Sequence, residues 1–133
     1  MELIITDEKT LGQIKGEFSL MFPHLKLEFY GISHNEGEGT SESFILENSM
    51  KLSEARKKHN EGHLNISANN KTNTLEIRFK EHYGLNVQVF RKSGNLWMQT
   101  TATDEWTLLH QEETALAHDK HWDLEEKEFP DLT

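Results

Sequence analysis

The chain has 133 residues, no cysteine and a formal net charge of −9 at pH 7. This length corresponds to one domain with its own core, and the absence of cysteine excludes disulfides, thiolate metal sites and cysteine nucleophiles. No stretch approaches the ~20 apolar residues of a membrane span, and the N-terminus lacks the basic and apolar segments of a signal peptide, so we expect a cytoplasmic protein.

Negative charge is concentrated near the C-terminus. Residues 104–133 carry ten acidic and two basic side chains, whereas residues 1–103 carry thirteen acidic and twelve basic ones. We therefore predict a single domain over residues 1–120, followed by an acidic tail over residues 121–133. Such a tail is usually solvated; the alternative is that it docks on a basic patch of the same chain or of a partner.

Two stretches of the chain follow the same order of strand, helix and strand. The first is IITDEKTLGQIKGEFSLMFPHLKLEFYG, and the second is NISANNKTNTLEIRFKEHYGLNVQVFRK. The aligned apolar pairs are Ile5 with Ile66, Ile14 with Leu75, Phe18 with Phe79, Phe22 with Tyr83, and Phe29 with Val89. The sequence therefore predicts an internal repeat, with halves at about residues 2–32 and 63–92.

Within each half, apolar residues recur at the i, i+3, i+4, i+7 spacing of one helix face. The residues of these two faces are Leu11, Ile14, Phe18, Met21, Phe22, Leu75, Phe79 and Tyr83. Pro23 and Gly84 are expected to end the helices, because proline cannot continue a helix and glycine accepts a left-handed conformation. We expect Thr10 to cap the first helix, and Thr72 or Asn73 to cap the second.

Residues 33–62 are predicted to form an insert between the halves. The insert begins with the polar stretch SHNEGEGTSES and continues with a short edge strand at residues 44–47. It is expected to end in a short helix before Gly62. The run RKK at residues 56–58 is the densest positive charge in the chain.

The second half is predicted to continue into a hairpin and a helix. Strands at residues 87–91 and 96–101 are joined through a Ser-Gly-Asn turn, whose residues tolerate the positive φ of tight hairpins. Because side chains alternate along a strand, Gln88 and Phe90 are expected to face away from the core. Thr107 is the expected cap of the final helix.

These elements predict an α+β fold. Two successive βαβ units favour a ferredoxin-like sandwich, in which a four-stranded sheet carries two helices on one face, here extended by the C-terminal hairpin strand and helix. A β-grasp arrangement is the alternative. Helices on one side would leave the opposite face of the sheet open.

The run YGLNVQVFRKSGNLWMQTTATDEWTL at residues 83–108 resembles an uncharacterised family of small bacterial proteins that share a pattern like GLxVQVFRKSGxxWLxTTxTDxWTL. The resemblance extends over residues 63–113. It implies a bacterial protein but no activity, cofactor or site residue. The family pattern has a carboxylate three positions after Thr107, where this chain has His110, which leaves only the threonine half of a capping box.

Four residues of this run are the candidate binding site: Arg91, Lys92, Trp97 and Trp106. Arginine beside a tight turn can hold an anion through its planar donors and the backbone N–H groups of the turn. A tryptophan on an open sheet face would offer a binding platform. The structural alternative is that the cations protect an edge strand and that Trp106 packs the entry of the helix.

The sequence contains no strong signature of an enzyme. It lacks GxSxG, P-loop and GxGxxG motifs, and His118 with His121 is only a weak metal pair without HExxH, so we predict no catalytic residue, metal or cofactor. The RNA-recognition pattern is missing and the tail is acidic, which argues against nucleic acid.

The predicted function is therefore a non-enzymatic binding domain that contacts a protein partner or a second copy through the open sheet face or the hairpin. One alternative is an enzyme or small-ligand protein with a pocket between the sheet and the insert at residues 33–62. Another alternative is a regulator that acts through its acidic C-terminal tail.

Overall fold

The computed structural model describes residues 1–31 and 44–128, with side chains up to residue 119. Within these ranges the strands are β1 (Glu2–Ile5), β2 (Leu25–Tyr30), β3 (Gly62–Asn65), β4 (Asn86–Ser93) and β5 (Leu96–Gln99). The helices are α1 (Leu11–Met21), α2 (Leu52–Ala55), α3 (Thr72–Tyr83) and α4 (Leu108–Glu128). A short 3-10 helix at Thr101–Thr103 connects β5 to α4.

The strands lie in two antiparallel sheets. β1 pairs with β3, and β2, β4 and β5 form a three-stranded sheet in that order. The predicted α+β class is confirmed. The ferredoxin-like arrangement is not, because in the described residues the strands before the helices and the strands after them form separate sheets. Alternation along a strand indicates which residues are buried, but it does not identify the neighbouring strand.

The apolar core joins both sheets to α1 and α3. Seven of the eight predicted helix-face residues are buried, namely Leu11, Ile14, Phe18, Phe22, Leu75, Phe79 and Tyr83, and Met21 is partly buried against the same core. From the strands, Leu3, Leu27 and Val89 belong to the same cluster. Phe29 of β2 meets Phe79 of α3 edge to face at 6.0 Å, which is a favoured aromatic geometry. The helical periodicity of the sequence therefore identified the core correctly.

The two halves of the chain make matching backbone contacts. Three backbone hydrogen bonds of the first half have a counterpart in the second, all between 2.8 and 3.2 Å from N to O. Leu46 donates to Phe29 as Thr100 donates to Val89, Leu11 donates to Met50 as Thr72 donates to Trp106, and Leu52 donates to Lys9 as Leu108 donates to Asn70. Residues 44–52 of the predicted insert therefore hold the start of α1 in the same way as residues 98–108 hold the start of α3.

The predicted caps are right for α1 and wrong for α3. Thr10 accepts the N–H of Gln13 at 3.2 Å, and the Gln13 side chain accepts the N–H of Thr10 at 2.8 Å, which completes a capping box. The cap residue of α3 is Lys71, without a side-chain hydrogen bond. Thr72 is buried instead, and its hydroxyl donates to the carbonyl of Trp106 at 2.9 Å.

The segment at residues 56–60 covers the C-terminal end of α3. Its side-chain donors and their carbonyl acceptors are Arg56 to Tyr83 (3.1 Å), Lys58 to Glu81 (2.8 Å), and Asn60 to His82. α2 ends at Ala55, well before Gly62 where we expected it to stop, because Arg56 is extended with φ −142° and ψ 157°. Two cations of the densest positive run therefore satisfy carbonyls that a helix end leaves without a partner.

α4 extends further than the sequence indicated. It reaches Glu128, past residue 121, where the acidic tail was predicted to begin. Thr107 accepts the N–H of His110 at 3.1 Å, as its predicted capping role requires. No helix in the described part of the chain has the length and apolar character needed to cross a membrane. The polar loop at residues 33–43 and the last part of the tail, residues 129–133, lie outside the described residues.

Gly16 and Gly84 should respond in opposite ways to alanine. A Cβ on Gly16 in α1 would meet nothing within 4 Å, so Gly16→Ala should raise the free energy of unfolding by about 1 kcal/mol. Gly84 ends α3 at φ 66°, where a Cβ would also lie 3.1 Å from Lys58 Cβ. Gly84→Ala should therefore lower that free energy by about 1 kcal/mol. Urea unfolding of both variants checks this, and shifts of the same sign would contradict it.

Candidate functional site

The β4–β5 hairpin divides the four predicted site residues between two sheet faces. Lys92 lies opposite Trp97 and Arg91 lies opposite Met98 across the two strands. Because neighbouring residues of a strand point to opposite faces, Lys92 and Trp97 share one face, and Arg91 lies on the other. Gly94 in the turn has φ 62°, the positive value predicted for a tight hairpin.

On the first face, Trp97 is covered in part by a lysine from β2. Lys26 Nζ lies 4.9 Å from the Trp97 ring centre and 5.4 Å from that of Phe90. Both distances are within the range of a cation–π interaction. Trp97 keeps 39% of its surface exposed, and the side chain of Lys92 keeps 40%. This end of the hairpin is therefore an aromatic and cationic surface open to solvent.

The middle of the same face is closed, contrary to the expectation of an open sheet face. Glu28, Tyr30, Gln88 and Phe90 are all at most 8% exposed. Alternation correctly separated these residues from the main core, but burial on the second face was not visible in the sequence. Exposed apolar surface on the sheet is concentrated on β5 instead, where Leu96 is 72% and Met98 is 45% exposed on the opposite face, that of Arg91.

On the second face, Arg91 connects the hairpin to α4. Its Nη1 donates to the Gln111 side chain at 2.7 Å, and its guanidinium lies 5.1 Å from the Trp106 ring centre. Trp106 in turn stacks on His110 at 4.1 Å. Gln111 is buried and donates to the carbonyl of Thr103 at 2.8 Å. The guanidinium is thus engaged within the chain, and Arg91 and Trp106 fit the structural alternative better than an anion site at the turn.

Three functional candidates were missed in the sequence: His24, Lys26 and Asp119. Lys26 is brought to Trp97 because β2 pairs with β4, with Lys26 opposite Phe90. His24 and Asp119 meet at 3.0 Å beside Lys92. The register of a hairpin follows from its turn, but no local sequence pattern predicts that β2 or α4 contacts the hairpin. Only knowledge of the strand pairing would have found these residues.

The sequence left open a ligand pocket between the sheet and the insert. The structure has an open cleft of about 500 Å³ there, partly lined by Gly31, Leu46, Met50 and Asn86. Its one lining carboxylate among the described residues, Glu54, is exposed. A carboxylate becomes an acid catalyst when burial raises its pKa, so this cleft lacks the expected group.

The described chain does contain one carboxylate with a strongly raised pKa, outside that cleft. Burial raises the pKa of Glu76 in α3 from 4.5 to about 7, opposed by a hydrogen bond from the Val89 N–H and assisted by the charge of Asp104. The Val89 N–H donates to Glu76 at 3.0 Å. Because this hydrogen bond ties α3 to β4 at the base of the hairpin, Glu76 has a structural task there.

No group of three metal-ligating side chains converges on one point among the residues whose side chains are described. His118 belongs to that part of the chain, whereas the His121 side chain of the predicted pair lies outside it. Searches of protein-family models, of curated proteins and of solved structures found no match to the chain. Any functional argument therefore depends on the hairpin itself.

Proposed function

We propose that the protein is a non-enzymatic interaction domain whose docking surface is the exposed end of the β4–β5 hairpin. This hairpin surface consists of Lys26, Lys92, Leu96, Trp97 and Met98. The observation that carries the proposal is a run of three exposed apolar residues on β5, at the edge of the three-stranded sheet. Edge strands are usually protected by charge, proline or a covering element, since an exposed apolar edge accepts further strands.

The occupant we propose is an extended segment of another protein, which adds to the edge of β5. Strand addition uses backbone hydrogen bonds for affinity and alternate side chains for specificity. Trp97 would be the main anchor, because tryptophan residues with both apolar surface and a polar N–H are frequent interface hot spots.

Photo-crosslinking tests the location of this surface. A photo-crosslinking amino acid is placed at position 96 and, as a control, at position 20 on α1, where Leu20 is 85% exposed. In extract of the cells that express the protein, we expect a discrete adduct at position 96 that is absent at position 20. Adducts at both positions, or a product with twice the mass of the chain, would contradict the proposal.

Replacement of the proposed anchor tests its contribution. Trp97→Ala should weaken capture of the crosslinked partner at least ~tenfold, as expected for a hot-spot residue, while Leu20→Ala leaves it unchanged. Because Trp97 is 39% exposed, the variant should remain folded, which urea unfolding checks. A Trp97 variant that unfolds would identify the ring as core, and unchanged capture by a folded variant would remove it from the site.

Binding by strand addition also has a signature in the backbone. The outward-facing amides of β5 at residues 96–98 should exchange with solvent more slowly when the partner is bound, because strand addition hydrogen-bonds them to the partner. Slower exchange on α1 without a change on β5 would place the interface elsewhere. Hydrogen exchange measured on the captured complex distinguishes these results.

A further inference from the structure

The hairpin surface already has a carboxylate beside it, supplied by α4. Asp119 Oδ2 lies 3.6 Å from Lys92 Nζ and 3.0 Å from His24 Nε2. Lys92 stands directly across the strands from Trp97. Asp119 therefore contacts a lysine that stands across the strands from the proposed anchor, within the same chain.

His24 is built to hold α4 at this position. Its Nδ1 lies 3.0 Å from Glu112 Oε2, and its backbone N–H donates to Glu112 Oε1 at 2.7 Å. Its carbonyl accepts the N–H of Lys92 at 2.9 Å. Both ring nitrogens face carboxylates. His24 Nε2 and Lys92 Nζ thus both lie beside one carboxylate, that of Asp119.

We propose that Asp119 occupies the position that an acidic side chain of the partner takes, so that α4 competes with the partner for the hairpin surface. The partner is then an extended peptide segment with a carboxylate next to its apolar residues. This inference rests on the proposed function and adds the chemistry of the partner to it. Asp119 is an intramolecular ligand, and its removal frees Lys92 and His24 for an external carboxylate.

The charge distribution supports an acidic segment at this point. The whole chain has a net charge of −9, which repels acidic polypeptides at long range. At 0.15 M salt the screening length is about 8 Å, so contacts within the site outweigh distant charges. A basic segment would instead meet the Lys92 ammonium, and like charges in an interface reject a partner. Once Asp119 is displaced, Lys92 therefore selects for an acidic residue in an otherwise acidic protein.

A random library of 12-residue peptides displayed on phage is the probe. The full chain is immobilised at 0.15 M salt, and the selection is repeated with Trp97→Ala to identify peptides that need the hairpin surface. We expect these peptides to be enriched in Asp and Glu next to apolar residues. A selected peptide should bind Asp119→Asn about fivefold more tightly than the original chain, as loss of one competing ion pair implies. Lys92→Gln should abolish the preference for acidic peptides.

Glu113→Gln is the matched control, because Glu113 is an exposed acid on α4 and its replacement changes the net charge by the same amount. Equal tightening by both variants would show an effect of net charge alone and overturn the inference. Trp97-dependent peptides without acidic residues would also overturn it, while leaving the proposed function in place. If no selected peptide depends on Trp97, the proposed function fails and the inference fails with it.

Discussion

Arg56→Ala should lower the free energy of unfolding by roughly 3 kcal/mol, because it removes the buried partner of an ion pair and of a helix end. The Arg56 side chain has no exposed surface and donates from Nε and Nη2 to Asp7 at 3.1 and 2.8 Å. Its Nη1 donates to the carbonyl of Tyr83 at the end of α3. One side chain therefore joins the loop before α1, the end of α2 and the end of α3.

The adjacent Lys57→Ala is the control for Arg56→Ala. Lys57 is exposed, so its replacement removes the same charge and should change the free energy of unfolding by less than about 0.5 kcal/mol. Urea unfolding followed by tryptophan fluorescence measures both variants. Equal and small effects of Arg56→Ala and Lys57→Ala would mean that the ion pair between Arg56 and Asp7 contributes no more to stability than the hydration of the two separate charges. Arg56→Lys should give an intermediate loss, because lysine keeps the charge but lacks the planar donor fork.

The same contact predicts how the protein responds to acid. Hydrogen bonds from Arg56, and secondarily from His59, hold the pKa of Asp7 below its ordinary value of 3.8. A lowered carboxyl pKa contributes stability above the unfolded-state pKa, and this contribution is lost as the pH falls through the folded-state pKa. The Arg56→Ala variant should therefore lose less stability than the original chain when the pH is lowered below about 4.

Local patterns in the sequence predicted the buried faces and the C-terminal ends of α1 and α3. Apolar spacing identified the buried faces of α1 and α3, and Gly84 ended α3 in the left-handed conformation. These features depend on residues within a few positions of one another, so the sequence carries them directly. The hairpin register is equally local, which is why the pairing of Lys92 with Trp97 follows from its turn.

Long-range features were not predictable in this way. The partner of β2 depends on contacts between distant segments, and β2 pairs with β4 instead of joining the sheet of β1 and β3, which gives two sheets instead of one. The contact between His24 and Glu112 joins residues 88 positions apart. The run at residues 56–58 was visible in the sequence only as positive charge. Its hydrogen bonds to carbonyls of α3 could not be predicted, because those carbonyls are also distant in sequence. Polar contacts of this kind have no periodicity to reveal them.

The candidate site illustrates both cases. The structure places Trp97 and Lys92 on a common face of the hairpin, and the turn fixes that register. Arginine and tryptophan are common in binding sites, but here both contact α4. Arg91 donates to Gln111, and Trp106 stacks on His110. A cation beside an aromatic ring stabilises a fold as readily as it binds a ligand. Exposure separates the two cases, and exposure is a property of the assembled fold.

Glu76→Gln should stabilise the protein at pH 8 and have little effect at pH 4. Burial raises the pKa of Glu76 from 4.5 to about 7, so the folded chain binds more protons than the unfolded chain between these values. Stability from this group is therefore present below pH 4.5 and lost as the pH rises through about 7. The difference corresponds to about 3 kcal/mol, and glutamine avoids it because it stays neutral.

The geometry favours glutamine at this position. An amide oxygen can still accept the Val89 N–H, which donates to Glu76 at 3.0 Å, and an uncharged side chain removes the repulsion from Asp104. Urea unfolding of the original chain and of Glu76→Gln at pH 4, 5, 6, 7 and 8 gives the difference in stability. Glu81→Gln is the control, because Glu81 is an exposed acid on the same helix. Parallel pH curves for the original chain and Glu76→Gln would show that the carboxylate is ionised without cost. A difference that grows through pH 7 would mean that Glu76 ionisation weakens the contact between α3 and the base of the β4–β5 hairpin.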